Sequence, residues 1–474
     1  MIERLVLFGA TGDLAGRFLL PALAALRADG RLPEGFTVTG AAGRDWDDER
    51  FRRFAGEQLA EYAAEVPGAE RAALVGALRY RRADVTDPDA LWELIGDVTA
   101  HRSAPIAVYL ALPPGLFPPA LTSLAEIGLP PGSRVAVEKP FGADLADARL
   151  LNGLLDRACG GAAEQLVFRV DHVLGMATVQ NLLGMRLANP WLDACWNSDH
   201  VEQVDVLWEE TLAQEGRAGY DRSGAVKDVV QNHMLQVLAM VAMEPAAIDD
   251  EHDLRDAKFA ALRSVRELRP DEVATRTRRA RYTAGRLADT GGADGGEVPD
   301  YAEEEGVDPG RGTETYADLF LEIDTPRWVG TRFRLRTGKA LAERRKGVVV
   351  RFRAGRSGQA SSTPGGPPAS ELWIGLDGPD DIRLRLIGWS AGAPEPGWVA
   401  LALAGEPPEA TLPPYARVLL DFLSGGSTLS VRGDMAEEAW RVVTPVLAAW
   451  AGGSPPLLEY PAGSAGLPPP GDDP

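Results

Sequence analysis

In FRVDHVLGMATVQNLL, residues 168–183, Asp171 and His172 stand side by side between apolar residues, in a chain with only 5 histidines. A carboxylate beside an imidazole is a proton-handling combination, because histidine changes charge nearest neutral pH. Adjacent side chains diverge in helices and strands, so each of the two needs a partner from elsewhere in the chain. DVVQNHMLQ, residues 228–236, offers one, with Asp228 and His233 bracketing an amphipathic run. A lone Asp or His in an apolar setting is more often a hydrogen-bonded core residue than a catalytic one. Two such stretches in one chain favour chemistry.

The elements that must position these residues begin with RLVLF, residues 4–8, a short apolar run typical of a buried parallel strand. GATGDLAGRFLLPALAALRADG then reads as a tight turn opening a helix. Gly9, Gly12 and Ala15 form a variant of the dinucleotide fingerprint, in which small residues let the backbone approach a pyrophosphate at a helix N-terminus. A second strand, residues 36–42, ends in Gly43, Arg44 and Asp45. Arg44 and the Thr11 hydroxyl favour the 2′-phosphate of NADP, whereas Asp45 suits the ribose hydroxyls of NAD. NADP is the preferred reading and NAD stays open. Strand-like segments at 78–85 and 104–112, with the helical DPDALWELIGDVTA between them, and a further one at 133–142 complete a pattern that implies a parallel sheet. Glu138 and Lys139, at the end of the last, either face the ligand crevice or form a surface ion pair.

From about residue 175 the regular alternation stops. Residues 201–210 alternate like a strand, and 215–245 read as a glycine-rich loop followed by a helix with Val229, Val230, His233, Leu235, Val237, Leu238 and Val241 on a buried face. Strand candidates at 315–326, 330–336, 347–353, 371–375, 382–387 and 397–404 predict a large antiparallel sheet. Residues 353–370 and the terminal LPPPGDDP read as mobile loops. A length of 474 residues makes two domains the default, divided here at 1–174 and 175–474. The net charge of −20 argues against nucleic-acid and anionic-membrane partners. Cys159 and Cys195, the only cysteines, provide neither a disulfide framework nor a Cys-based zinc site, and no metal is expected. A reducing cytoplasm is the natural setting. The N-terminus does not read as a signal peptide, and the most apolar stretch, 105–124, is broken by 5 prolines.

Taken together, GATGDLA (9–15), VEKPFG (137–142), RVDHVLG (169–175), EGRAGY (215–220), DVVQNHMLQ (228–236), AMEP (242–245), YTAG (282–285), EEEGV (303–307), LRTGKAL (335–341) and VRGDMAEEAW (431–440) resemble the glucose-6-phosphate dehydrogenase family in order and spacing. The resemblance implies an α/β N-terminal Rossmann domain and an α+β C-terminal domain whose large antiparallel sheet makes a homodimer or a dimer of dimers. It also implies NADP-linked oxidation of C1 of a hexose to a 1,5-lactone. By motif, His233 is similar to the family's general base and Asp171 to the carboxylate that orients it. Lys139, His172, Glu210, Asp228 and Lys339 resemble the substrate-holding residues, with Met176 at a further substrate position. The cofactor-binding set implied is Gly9, Ala10, Thr11, Gly12, Asp13, Leu14, Arg44, Ala111, Glu138 and Lys139.

Four positions depart from the family's pattern. Where its signature usually reads His-Tyr-Leu-Gly-Lys, Val173 replaces the tyrosine and Met176 the lysine. Phe18 stands where the glycine loop usually carries a lysine, and Gly43 where an arginine meets the 2′-phosphate. Losing two lysines weakens a phosphorylated substrate by about 3–6 kcal/mol, on the order of 10² to 10⁴ in affinity. The sequence therefore predicts a C6 pocket remodelled for a non-phosphorylated or differently substituted hexose. An ordinary glucose-6-phosphate dehydrogenase is the alternative, with Arg17, Arg186, Arg217 or Lys227 as replacement cations. A catalytically idle nucleotide-binding regulator is the alternative of another class.

Overall fold

The computed structural model describes residues 1–99, 104–213, 219–245, 248–288, 296–354, 369–377, 381–390, 397–405 and 412–468. Contacts divide the chain into two units. The first comprises Met1–Ala177, Ala247–Phe259 and Ala410–Glu437, and the second Thr178–Ala246, Ala260–Glu409 and Glu438–Pro474. Two later segments return to the first unit, so neither unit is continuous in sequence.

The first unit is a parallel sheet built from β1 Arg4–Phe8, β2 Thr37–Ala42, β3 Leu78–Arg82, β4 Ala107–Leu110, β5 Arg134–Glu138 and β6 Val167–Val170, mostly apolar runs, with β3 half exposed at the edge. Their spatial order is β6-β5-β4-β1-β2-β3, with Ser430–Val431 added antiparallel outside β6. β1 pairs in parallel with both β2 and β4, so the strand order reverses at its edge. Ligands of open α/β sheets bind beyond the strand ends at such a reversal. The strands are shorter than their apolar runs suggest. Beyond Leu110 and Glu138 the chain soon reaches Pro113 and Pro140, which have no amide to donate to a ladder. Aspartates start the covering helices: Asp47 accepts from the Arg50 amide, Asp87 from those of Asp89 and Ala90, and Asp144 from that of Asp147.

The second unit carries a nine-stranded sheet in the order 397–405, 382–390, 371–375, 345–352, 201–209, 332–338, 316–321, 277–283, 457–461. Its pairs are antiparallel except for Val201–Glu209 with Arg332–Gly338 and Thr277–Thr283 with Leu457–Pro461. Against the first of these parallel pairs packs a helical run that opens at Tyr220–Ala225, widens to π geometry over Val226–Met234, and closes as an α-helix at Leu235–Ala242. The predicted apolar face is buried, and so are Gln231, Asn232 and Gln236, because the run is enclosed all round from Val229 to Ala242 rather than on one face. Most of the predicted loop 353–370 and of the terminal LPPPGDDP lies outside the described residues. Among the described residues no helix is long and apolar enough to cross a membrane.

Candidate active site

In the first unit the glycine turn after β1 behaves as its spacing predicts. Gly9 has φ +75°, and a Cβ there would lie 2.0 Å from the Ala111 carbonyl oxygen at the end of β4. Only glycine fits. The Gly12 amide donates to the Gly9 carbonyl at 2.9 Å and the Gly16 amide to that of Gly12 at 3.1 Å, carrying the turn into the helical residues Ala15–Leu19 and Leu20–Ala28. Close packing continues at Gly16, where a Cβ would meet Gln58 at 2.3 Å. Ala10 is fully buried, Thr11 and Leu14 are partly buried, and Asp13 is exposed beside Arg17 at 3.5 Å. At the end of β2 the Arg44 and Arg50 guanidinium groups lie over the Trp46 ring, at 5.3 and 5.0 Å. Asp45 is engaged by Arg82 at 3.7 Å. A backbone cradle at a helix start, with two cations beside an indole at the next strand end, fits a phosphorylated dinucleotide.

Glu138 and Lys139 part company. Lys139 is half-buried, whereas the Glu138 carboxylate turns inward and accepts from the Tyr109 hydroxyl at 2.6 Å and from Tyr415. Burial raises Glu138 to about 7, against the hydrogen bond from Tyr109 and the charge of Lys139. Tyr415 also stacks on His172, with ring centres 5.4 Å apart and 13° between planes, and the Phe18 ring lies tilted against Tyr415 at 5.4 Å. Asp171 is fully buried at the end of β6, where it caps the single turn His172–Gly175 by accepting from the Val173 amide at 3.1 Å. Val173 is fully buried and Met176 half-buried. Arg417 donates to the Gly175 carbonyl at 3.2 Å, a cation near this turn that local sequence gave no reason to place there.

The second unit gathers His233, Glu210 and Lys339. Parallel pairing of Glu209 with Gly338 brings the two strand ends level, and the Lys339 ammonium donates to Glu210 at 2.8 Å. Lys346 adds a second bridge at 3.0 Å. Burial would raise Glu210, but Lys339 and Lys346 together hold it at about 2. Lys346 also lies over the Trp208 ring at 4.7 Å and Lys339 over Tyr220 at 4.9 Å. His233, 3% exposed, packs on Trp208 at 5.5 Å. Asp228 is partly buried and close enough to raise Tyr220, after burial itself. Lys346, Trp208 and Tyr220 belong to this cluster without having been singled out from sequence; the Trp208-Glu209-Glu210 strand end was the available signal. Of the proposed replacement cations, Arg186 is committed elsewhere: it is buried and donates to the Met240, Val241 and Met243 carbonyls. Arg17 is drawn to Asp13, Lys227 lies over Trp440 at 5.9 Å, and Arg217 is outside the described residues.

One unit thus offers a cradle for a dinucleotide, and the other offers groups for hydroxyls and for a proton. That division of labour is characteristic of a nicotinamide-dependent sugar dehydrogenase. The chain belongs to the glucose-6-phosphate dehydrogenase family. It matches "Glucose-6-phosphate dehydrogenase, NAD binding domain" over residues 6–181 and "Glucose-6-phosphate dehydrogenase, C-terminal domain" over residues 183–470. It is 36% identical to glucose-6-phosphate 1-dehydrogenase of Treponema pallidum, covering 98% of this chain and 91% of that one. With its counterpart from Zymomonas mobilis it shares 34% identity over 98% and 96% of the two chains. A glucose-6-phosphate dehydrogenase solved in complex with its substrate glucose-6-phosphate has 29% identity and a TM-score of 0.85, over 99% of this chain and 96% of that one.

Proposed function

We propose that this protein is a glucose-6-phosphate 1-dehydrogenase that prefers NADP⁺. The observation that carries the reading is full-length similarity to relatives of that name, together with a retained Glu210–Lys339 pair beside a buried His233. NADP⁺, when bound, accepts the hydride from C1. Gly9, Gly12 and the helix start hold its pyrophosphate, and Arg44 its 2′-phosphate. His233 takes the proton from the C1 hydroxyl as the hydride leaves, and Asp171 is its orienting carboxylate, as in the resemblance. Lys139, Glu210, Asp228 and Lys339 bind the sugar hydroxyls, with Glu210 kept ionised by its two lysines so that it always accepts. His172, held by the Tyr415 stack, faces the C6 substituent.

The relatives favour the phosphorylated sugar over the remodelled pocket that the sequence suggested. One observation supports the second reading: Val173 is sealed in the core and Met176 carries a thioether, so neither donates to a phosphate. Initial rates of NADP⁺ and NAD⁺ reduction, with glucose and glucose 6-phosphate each titrated, separate the two. Efficient use of glucose 6-phosphate at sub-millimolar concentration is expected. Preference for glucose would establish the second reading, and inactivity with both would overturn the first and leave a differently substituted sugar or a non-catalytic role.

We further propose self-association through the outer strands of the second unit's sheet. Leu386, Val399, Leu401 and Leu403 are large apolar side chains exposed there on two adjacent strands.

A further inference from the structure

Lys258 lies in the helix Glu251–Arg263, is 0% exposed, and its ammonium has no hydrogen-bond partner among the described residues. The helix is pinned along the edge of the parallel sheet. Arg255 pairs with Glu164, just before β6, at 2.6 Å, and Glu251 accepts from the Ser427 amide at 2.9 Å. Arg432 bridges to Asp256 and lies over the Phe259 ring at 5.0 Å. Ser430, two residues before Arg432, pairs with Val170, the last residue before Asp171. The helix that carries Lys258 is thereby tied, through Arg432 and the Ser430–Val170 pair, to the strand end that bears the buried Asp171, whose charge acts on Lys258. Burial, and after it the charge of Arg255, lower Lys258 to about 8 against the opposing charge of Asp171. Asp171 also acts on Glu138 on β5 and Tyr415 on the helix Pro414–Ser424, and His172 is its chain neighbour.

A buried ammonium without hydrogen bonds is costly, and an apolar chain of equal length would pack there at lower free energy. We propose that Lys258 is a positioning residue for the reaction: its ammonium is the fixed counter-charge that keeps the Asp171 carboxylate ionised and sets the pH at which proton transfer operates. The inference rests on the roles given above to Asp171 and His233. Removing the positive charge leaves Asp171 and any group it orients with a greater affinity for protons, so the acid limb of the rate profile moves to higher pH.

The test is Lys258→Met, with Lys258→Gln as a neutral variant that keeps a polar end, assayed with glucose 6-phosphate and NADP⁺ across pH alongside thermal unfolding. The expected result is an acid limb of kcat displaced upward by about half a pH unit or more, with kcat on that limb down by about threefold or more. The KM for NADP⁺ should stay within about twofold, and the Tm of the methionine variant should equal or exceed the parent's. An unmoved acid limb in either folded variant, or a loss of rate that only follows a fall in Tm, would overturn the assignment. A parent chain that oxidises no sugar would instead overturn the functional reading, and this inference with it.

Discussion

Glu210 and Glu138 are both carboxylates at strand ends, and their surroundings drive them in opposite directions. Glu210 is held at about 2 because two lysines outweigh its burial, whereas Glu138 rises to about 7 because burial outweighs Lys139 and Tyr109. The stability contributed by Glu210 is present above its unfolded value near 4.5 and is lost as pH falls towards 2. For Glu138 the folded state binds the proton more tightly, so its contribution is present below 4.5 and fades as pH rises through 7. Denaturant unfolding across pH should therefore show the gap between parent and Glu210→Gln closing in acid, and the gap between parent and Glu138→Gln changing mainly between these two values. His233→Asn should lower kcat by about 10² to 10⁴ while NADP⁺ binding is retained; unchanged turnover in steady-state assays would require another base. Met176→Lys places a cation beside the His172 turn. Its KM for glucose 6-phosphate is expected to fall about tenfold, on the scale of one charge-assisted hydrogen bond.

Each of two elements depends on a residue that fits its geometry. The turn between β1 and its helix exists because Gly9 adopts a positive φ and lets the Ala111 carbonyl approach. Gly9→Ala is expected to cost about 1–3 kcal/mol of stability from backbone strain alone and to abolish detectable NADP⁺ binding by calorimetry. The helical run bearing His233 is fixed at its start by Glu314, which accepts from the Val226 amide at 3.1 Å. Gly224, with φ +67°, leaves room for that carboxylate, since a Cβ would meet it at 2.5 Å. The π winding that follows brings His233 against Trp208 while keeping Val229, Val230 and Met234 in the core.

Across the whole molecule, a net charge of −20 keeps copies apart except where apolar surface draws them together. The exposed Leu386, Leu401 and Leu403 of the outer strands are the place proposed for that. Leu401→Glu combined with Leu403→Glu is expected to yield monomers in sedimentation velocity, while the parent sediments as a dimer or larger; an unchanged distribution would exclude this face.

Local features were legible because they depend on neighbours in sequence. The strand and glycine turn at the N-terminus, the alternation of strands and helices, and the apolar face around His233 follow from residues a few positions apart. The sugar-holding role proposed for Lys139, Glu210, Asp228 and Lys339 came from motif resemblance rather than from spacing. Three matters were settled only by folding. Lys346 and Trp208 join Glu210 and Lys339 through ladders between strands more than a hundred positions apart, and Tyr220 meets Lys339 from the start of a helical run. Arg186, a candidate for phosphate by charge, is consumed by backbone carbonyls. Glu138, which stands beside Lys139 at a strand end, is withdrawn by two tyrosines. A residue's type fixes what it can donate or accept, but only the packed fold decides which partners claim it, because burial forces each polar group to find one and the nearest is seldom nearest in sequence.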